Sequence, residues 1–322
     1  MSEKYETIVP SEPDAGERLQ WVSWLRSAAP YVHLHHGRTF VISFAGEVVA
    51  DRTLLNHLVM DVSLIASMGM RVVLVHGSRP QIEELMSLRK LEGQFYKGVR
   101  ITGPQELECV KEACGETRFD IEAAFSQGLP NTPMQHSRIK VVSGNFVTAR
   151  PMGIIDGVDY LHTGVVRKVD AESIQDLLSR GNIVLVSPTG FSPTGEAFNL
   201  TTEDVATAIA VAIHADKLIL SVGVDGVRIQ GEKQQDLTAQ QAQALIQSKQ
   251  VDDEDVYNLG YALRAIKGGV DRVHIVPYAM DGGILTELFT HDGVGTMIST
   301  ENMESLREAT IDDVAAIVKM LE

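Results

Sequence analysis

Cysteine is scarce in this chain: there are two among 322 residues, Cys109 and Cys114, both in the segment LECVKEACGE. Leu107, Val110 and Ala113 recur there at helical spacing, which predicts one amphipathic helix carrying both thiols. A redox pair or a metal site would want tighter spacing or nearby histidines, so the two read as ordinary reduced thiols. Basic charge is also short. Lys and Arg number 28 against 43 Asp and Glu, a formal net charge of -15. That balance repels phosphate backbones and excludes a general nucleic-acid role. No uninterrupted apolar stretch is long enough to span a bilayer. The opening MSEKYETIVPSEPDAGE lacks the apolar core of a secretion signal, and no repeat of fixed period is evident. The expectation is a cytoplasmic protein with neither a membrane nor a nucleic-acid partner.

What is present is the material of a substantial core. Apolar residues make up 44% of the chain and charged residues 22%, enough for one large α/β domain or two smaller ones. Six short runs are rich in β-branched residues and nearly continuous in apolar character: TFVISF from Thr39, RVVLVH from Arg71, IKVVS from Ile139, NIVLVSP from Asn182, DKLILSV from Asp216 and RVHIV from Arg272. Such runs suit strands covered on both faces. Between them the periodicity predicts helices over 54–67, 80–89, 105–125, 171–179, 203–214, 239–248 and 256–267. Strand followed by helix, repeated, argues for a mostly parallel central sheet with helices on both faces. Residues 145–150 and 160–167 read as a hairpin pair, and 225–230 as a turn into a smaller one. The acidic run Asp252–Asp255 reads as a solvated helix start, where negative charge meets the positive end of the helix dipole.

Ahead of this domain, residues 16–30 form a helix of their own. Leu19, Val22, Leu25 and Ala29 recur at spacings of three and four, Trp21 and Trp24 widen the apolar face, and Pro30 is expected to stop the run. That face must pack on its own domain or on another subunit, and periodicity does not choose. Residues 1–15 are expected to be a flexible N-terminus. The tail, 301–322, has a different character: LREAT leads into an amphipathic IDDVAAIVKMLE, the opening of another α/β unit.

Ligands of an open parallel sheet bind in the loops after the strands' carboxyl ends. Two such loops stand out, Ala45-Gly46 and His76-Gly77-Ser78-Arg79, where glycine would let backbone amides approach a phosphate at a helix start. The order of VISFAG, VVLVHGSRP, GVRITG, GEAFNLTTEDVATAIA, ADKLILSVGVDGV and DGVGTMIS resembles the acylamino-acid kinase family. Within it the chain is most similar to the kinase-like domain of the bacterial N-acetylglutamate synthases. The resemblance covers nearly all of 19–300 and implies an acetylglutamate-kinase-like fold over 31–300. It also implies a chain without the kinase machinery. Ser43 stands at the first-strand lysine, Ala45 at the first glycine of that loop, and Ser78 and Arg79 within the glycine triplet that Gly77 opens. Asn258 stands at the second lysine, and Glu203 at the aspartate that organises the two. Phosphoryl transfer depends on positioning and on charge stabilisation, and losing one charged donor commonly costs about 10²–10³ in rate. Negligible kinase activity is expected. At the acylamino-acid site, Arg100 and Asn199 persist, either as residual ligand contacts or as inherited structure.

A second cluster matches the arginine-inhibited members of the family: Tyr31 in a Pro-Tyr pair, Lys217 opening a strand, His274 in the last long strand, and Glu287 followed by a turn containing Gly293 and Gly295. Taken singly, Lys217 reads as a solvated strand end, Glu287 as a helix surface charge and His274 as a satisfied strand histidine. Together they suit free L-arginine, with Glu287 receiving the guanidinium and Lys217 or backbone amides the α-carboxylate. The resemblance implies that the N-terminal helix interlaces with that of another subunit to build a hexamer. It also implies that residues 301–322 begin a GNAT acetyltransferase domain whose catalytic residues lie beyond Glu322. No cofactor is expected in the chain; acetyl-CoA is expected as a substrate of the full-length protein, which would join it to glutamate in the first step of arginine biosynthesis. The competing readings are an arginine-sensitive acetylglutamate kinase using ATP and a pure scaffold.

Overall fold

The computed structural model of the protein describes residues 15–127 and 139–300. The expected N-terminal segment and the expected start of an acetyltransferase domain lie outside the described residues. The framework is an eight-stranded sheet in the order Asp236–Thr238, Thr296–Ser299, Arg272–Pro277, Lys217–Val222, Thr39–Phe44, Arg71–His76, Ile183–Val186, Val141–Ser143. Five adjacent pairs in its centre and far edge are parallel. One junction is antiparallel, between Arg272–Pro277 and Thr296–Ser299. The sheet is therefore mostly parallel, in agreement with the strand-helix alternation of the sequence.

Each central strand buries both faces. Val41, Val73, Val75, Val184, Leu218 and Leu220 point into one apolar cluster. The alternate residues Phe40, Ile42, Phe44, Val72, Leu74 and Ile219 point into another. The period of two sends successive side chains to opposite helix layers, which is why the runs look continuously apolar. Fully burying each such side chain contributes about 1.5–3 kcal/mol. A smaller four-stranded sheet contains the paired strands Val147–Pro151 and Gly164–Val169. These are the expected hairpin partners, with a register shift at Thr148/Ala149. The turn after Asp225 leads into the pair Arg228–Ile229 and Glu232–Lys233.

Two expectations need correction. The N-terminal helix runs Ala15–His35 and passes through Pro30. Proline removes one amide and crowds the preceding turn, yet the helix continues because Tyr31 and Val32 pack on the domain and Ala28 and His35 are buried. The boundary placed at residue 30 thus falls inside a helix. Nor is the acidic start of the helix Asp253–Lys267 wholly solvated. Asp252 caps it, accepting from the Asp255 amide at 2.8 Å. Asp255 itself is buried, and its Oδ2 accepts from the Arg228 amide at 3.2 Å.

Candidate functional site

The residues singled out in the sequence separate to opposite ends of the central strands. Ser43, Ala45, Gly46, Gly77, Ser78 and Arg79 lie at the carboxyl end, where Thr39–Phe44 and Arg71–His76 finish. Their loops bond to each other. The Gly77 amide donates to the Phe44 carbonyl at 2.7 Å, and Gln81 Nε2 donates to the Gly46 carbonyl at 2.8 Å. A Cβ on Gly77 would lie 2.8 Å from the Gly46 nitrogen, so the two loops already abut. Ser43 is buried, its hydroxyl 3.5 Å from the Ile219 carbonyl. His76 is fully buried, with Nε2 2.8 Å from the Ser187 hydroxyl, and burial pushes it down to about 4. Arg79 pairs with Glu83 at 3.1 Å.

Glu203 and Asn258 occupy neighbouring helices, Thr202–Ala212 and Asp253–Lys267. The Tyr257 hydroxyl donates to Glu203 at 3.2 Å, and burial raises the Glu203 carboxyl. Asn258 is buried within its helix and its Nδ2 has no hydrogen-bond partner. Neither supplies the cation that a transferring phosphoryl group requires.

Arg100 and Asn199 flank one buried polar network. Arg100 is buried, with its guanidinium 4.6 Å from the Phe95 ring centroid and NH2 3.2 Å from Glu83. Asn199 donates to the Thr102 hydroxyl at 3.0 Å, and the Thr163 hydroxyl donates to the Arg100 carbonyl at 2.6 Å. Both residues therefore have internal partners that account for their positions.

The amino end of the same sheet carries the other cluster. Lys217 opens its strand and is only 6% exposed; His274 is 3% and Glu287 9% exposed. Neither charged residue is the solvated group that its position suggests. Lys217 Nζ lies 3.1 Å from His274 Nε2, and His274 Nδ1 lies 2.7 Å from Glu287 Oε1. The other carboxylate oxygen, Oε2, accepts from the Val294 and Gly295 amides at 2.7 and 2.8 Å. Gly293 (φ 60°) turns the chain in the left-handed region beside Glu287. At Gly295 a Cβ would collide with the Ile275 carbonyl. Only glycine there lets two successive amides converge on one carboxylate.

The electrostatics of this chain are ordered. Burial, with Lys217 beside it, pushes His274 down to about 4, so the ring is neutral at neutral pH. Its partners assign the proton to Nδ1, which donates to Glu287, while Nε2 accepts from the lysine ammonium. Burial alone would raise the Glu287 carboxyl. The hydrogen bonds from His274 and the two amides outweigh it and hold the group down at about 2. Burial, followed by Arg272, brings Lys217 down to about 8. A cation and an anion thus face each other across a neutral imidazole.

Lys217 also faces a cleft of about 640 Å³. Its walls include Leu34, His35, Arg38, Asp216, Asp271 and Arg272. Arg38 pairs with Asp216 at 2.8 Å. Tyr31 lies one helical turn before His35, half-buried against the same face of the sheet. His35, Arg272 and Asp271 were not among the residues singled out in the sequence. His35 escaped because the helix was ended at Pro30. The other two carry no motif, only a strand start after a Gly-Gly-Val turn. Among the described residues no group of three or more His, Cys, Asp or Glu is placed to hold a metal ion. No helix there is long and apolar enough to cross a membrane.

Comparisons with known proteins fit this architecture. The model of the "Amino acid kinase family" matches residues 38–277. The amino-acid acetyltransferase of Ralstonia nicotianae is 54% identical over 96% of this chain and 69% of its own length. That of Ectopseudomonas mendocina is 47% identical over 94% of this chain and 69% of its own. A crystal structure of N-acetylglutamate synthase from Neisseria gonorrhoeae, complexed with coenzyme A and L-arginine, superposes with a TM-score of 0.83 at 34% identity, covering 94% of this chain and 70% of that one. Carbamate kinase from Giardia lamblia, at 14% identity and a TM-score of 0.62, covering 82% of this chain and 99% of that one, shares the fold. The chain belongs to the amino acid kinase family and, within it, to the amino-acid acetyltransferases that are N-acetylglutamate synthases.

Proposed function

We propose that this amino-acid-kinase-like domain is the arginine-sensing, oligomer-forming part of an N-acetylglutamate synthase and has no kinase activity of its own. The observation that carries the reading is the buried Lys217–His274–Glu287 chain ending at a charged cleft. L-Arginine brings a carboxylate and a guanidinium, and the site holds groups for both. Lys217 and Arg272 are cations at the cleft wall, suited to the α-carboxylate. Glu287 is the anion behind them, suited to the guanidinium. A carboxylate offers about four lone-pair positions, and on Glu287 His274, Val294 and Gly295 engage three. A forked pair therefore displaces His274, the one side chain among those donors.

Oligomerisation rests on the N-terminal helix. Leu19, Trp21, Trp24 and Leu25 are 72%, 61%, 52% and 45% exposed. Large apolar side chains in such a row mark a surface that another protein covers. A second copy of the helix, in a hexameric ring, is the occupant proposed. Acetyl transfer from acetyl-CoA to glutamate, the entry to arginine biosynthesis in the cytoplasm, is assigned to a GNAT domain that 301–322 would begin. Coupling then requires that arginine bind one assembly state more tightly than another.

Calorimetric titration of L-arginine into the chain tests the reading, with saturable binding and a raised melting temperature expected. A flat isotherm with no rise would leave only the scaffold. Robust ADP release from ATP and N-acetylglutamate would favour the kinase instead.

A further inference from the structure

The seven-residue helix Gly283–Phe289 carries Glu287. Its last carbonyls have no intrahelical partners and need them from elsewhere. The Leu288 carbonyl finds one in His35, the final residue of the N-terminal helix, whose Nε2 lies 3.0 Å away. His35 is buried, and its ring is held edge-on between Phe40 and Phe289 at centroid distances of 5.4 and 5.8 Å. Burial, then the neighbouring Lys217, Arg272 and Arg38, push the imidazole down to about 4. It is therefore neutral at neutral pH with a single N–H, and the carbonyl partner places that proton on Nε2. The same residue is a wall of the cleft. One side chain thus touches the N-terminal helix, the cleft and the residue next to Glu287.

We infer that His35 is the positioning residue that couples the N-terminal helix to the arginine site, by donating a hydrogen bond to the carbonyl adjoining Glu287. The inference rests on the arginine-sensing reading and adds the route by which the two parts communicate. When the N-terminal helix shifts, His35 shifts with it, and the Leu288 carbonyl loses or keeps its donor. Because Leu288 follows Glu287 directly, the carboxylate's placement against His274 and the Val294 and Gly295 amides follows that movement. In the other direction, arginine on Glu287 changes where the Leu288 carbonyl sits, and so the seat of the N-terminal helix. This is coupling through a packed, two-ended contact, and it is reciprocal.

Two amide substitutions separate reach from chemistry. His35→Gln puts an N–H near the position of Nε2, whereas His35→Asn carries the same amide one methylene short of it; His35→Leu removes the donor. Arginine affinity is read by calorimetry. Motion of the helix is read by intrinsic fluorescence, since both tryptophans of the chain, Trp21 and Trp24, lie on it. Losing a buried donor predicts about tenfold weaker arginine binding for the Asn and Leu variants. It also predicts loss of the arginine-induced fluorescence change, even at saturation. The Gln variant should stay within about threefold of the parent and keep that change. Melting curves identify any variant that fails to fold, and either loss variant suffices. Asn and Leu variants that bind and respond like the parent overturn the inference, and so does a Gln variant as defective as Asn. Weaker binding with the fluorescence response intact overturns the coupling and leaves His35 a wall of the cleft. If the parent chain itself binds no arginine, the arginine-sensing reading is what fails.

Discussion

At the carboxyl end of the central strands, the loops spend their hydrogen bonds on each other. Gly77 donates to Phe44 and Gln81 holds the Gly46 carbonyl. At the amino end of the same strands, charged groups are buried and only partly matched, with Lys217 beside Arg272 at an open cleft and Glu287 behind them. The cleft of about 640 Å³ lies at the amino end. Burying Lys217 and Glu287 costs free energy that apolar residues in their place would not. Such placement makes the amino end the candidate site.

The largest expected effect tests the carboxyl end. Ser43→Lys, alone or with Asn258→Lys, puts an uncompensated ammonium at a position now 3% exposed. A loss of about 3–5 kcal/mol is expected, together with no ADP release, because the loops remain bonded to each other. Chemical denaturation and a coupled ADP assay check both, and turnover would break the comparison. Next comes Glu287→Gln at the open end. Its amide has one acceptor oxygen where the carboxylate has two, so one set of donors, His274 or the Val294 and Gly295 amides, meets an NH2, and it removes the charge a guanidinium seeks. Arginine binding should weaken about a hundredfold by calorimetry, with the secondary structure retained by circular dichroism.

pH separates the two ends more finely. Lys217, at about 8 instead of 10.5, sheds its proton earlier in the folded chain than in the unfolded one. Between those values the unfolded chain binds more protons, so stability rises with pH through that window. Arginine affinity should fall over the same climb, as the carboxylate loses its ammonium partner. On the acid side, His35, His76 and His274 all lie near 4 and gain protons on unfolding. Stability should decline as pH drops from 6.5 toward 4. The Glu287 contribution, by contrast, holds above 4.5 and is lost as pH falls toward 2. Urea midpoints across the pH range check the directions. The smallest effect belongs to Trp24→Ser on the half-free helix: less than about 0.5 kcal/mol on the fold itself, with a lower assembly mass by light scattering.

The sheet was legible because its strands bury both faces. Continuous Val, Ile and Leu runs such as RVVLVH and DKLILSV have no other simple use in an α/β chain. The helices Ala171–Ser179 and Ala239–Ser248 fall where their periodicity put them. The short strands Ala197–Asn199 and Asp236–Thr238 and the helix Gly283–Phe289 did not announce themselves, being too short to show a period. Lys217, His274 and Glu287 were recognisable by resemblance, yet singly each looked like a surface or strand residue. Their contact spans 57 and 13 positions of sequence and exists only once the helix Gly283–Phe289 folds onto the sheet.

By itself the sequence determined the alternating α/β framework and the row of large apolar residues from Leu19 to Leu25. These follow from side-chain type and local spacing, which a linear chain displays directly. The tertiary structure decided that the N-terminal helix continues through Pro30 to His35, because packing against the domain offsets a lost amide. It also decided that Lys217 and Glu287 are buried partners of one histidine, and that the loops after the first two central strands abut. Each of those depends on which groups long-range folding leaves without water.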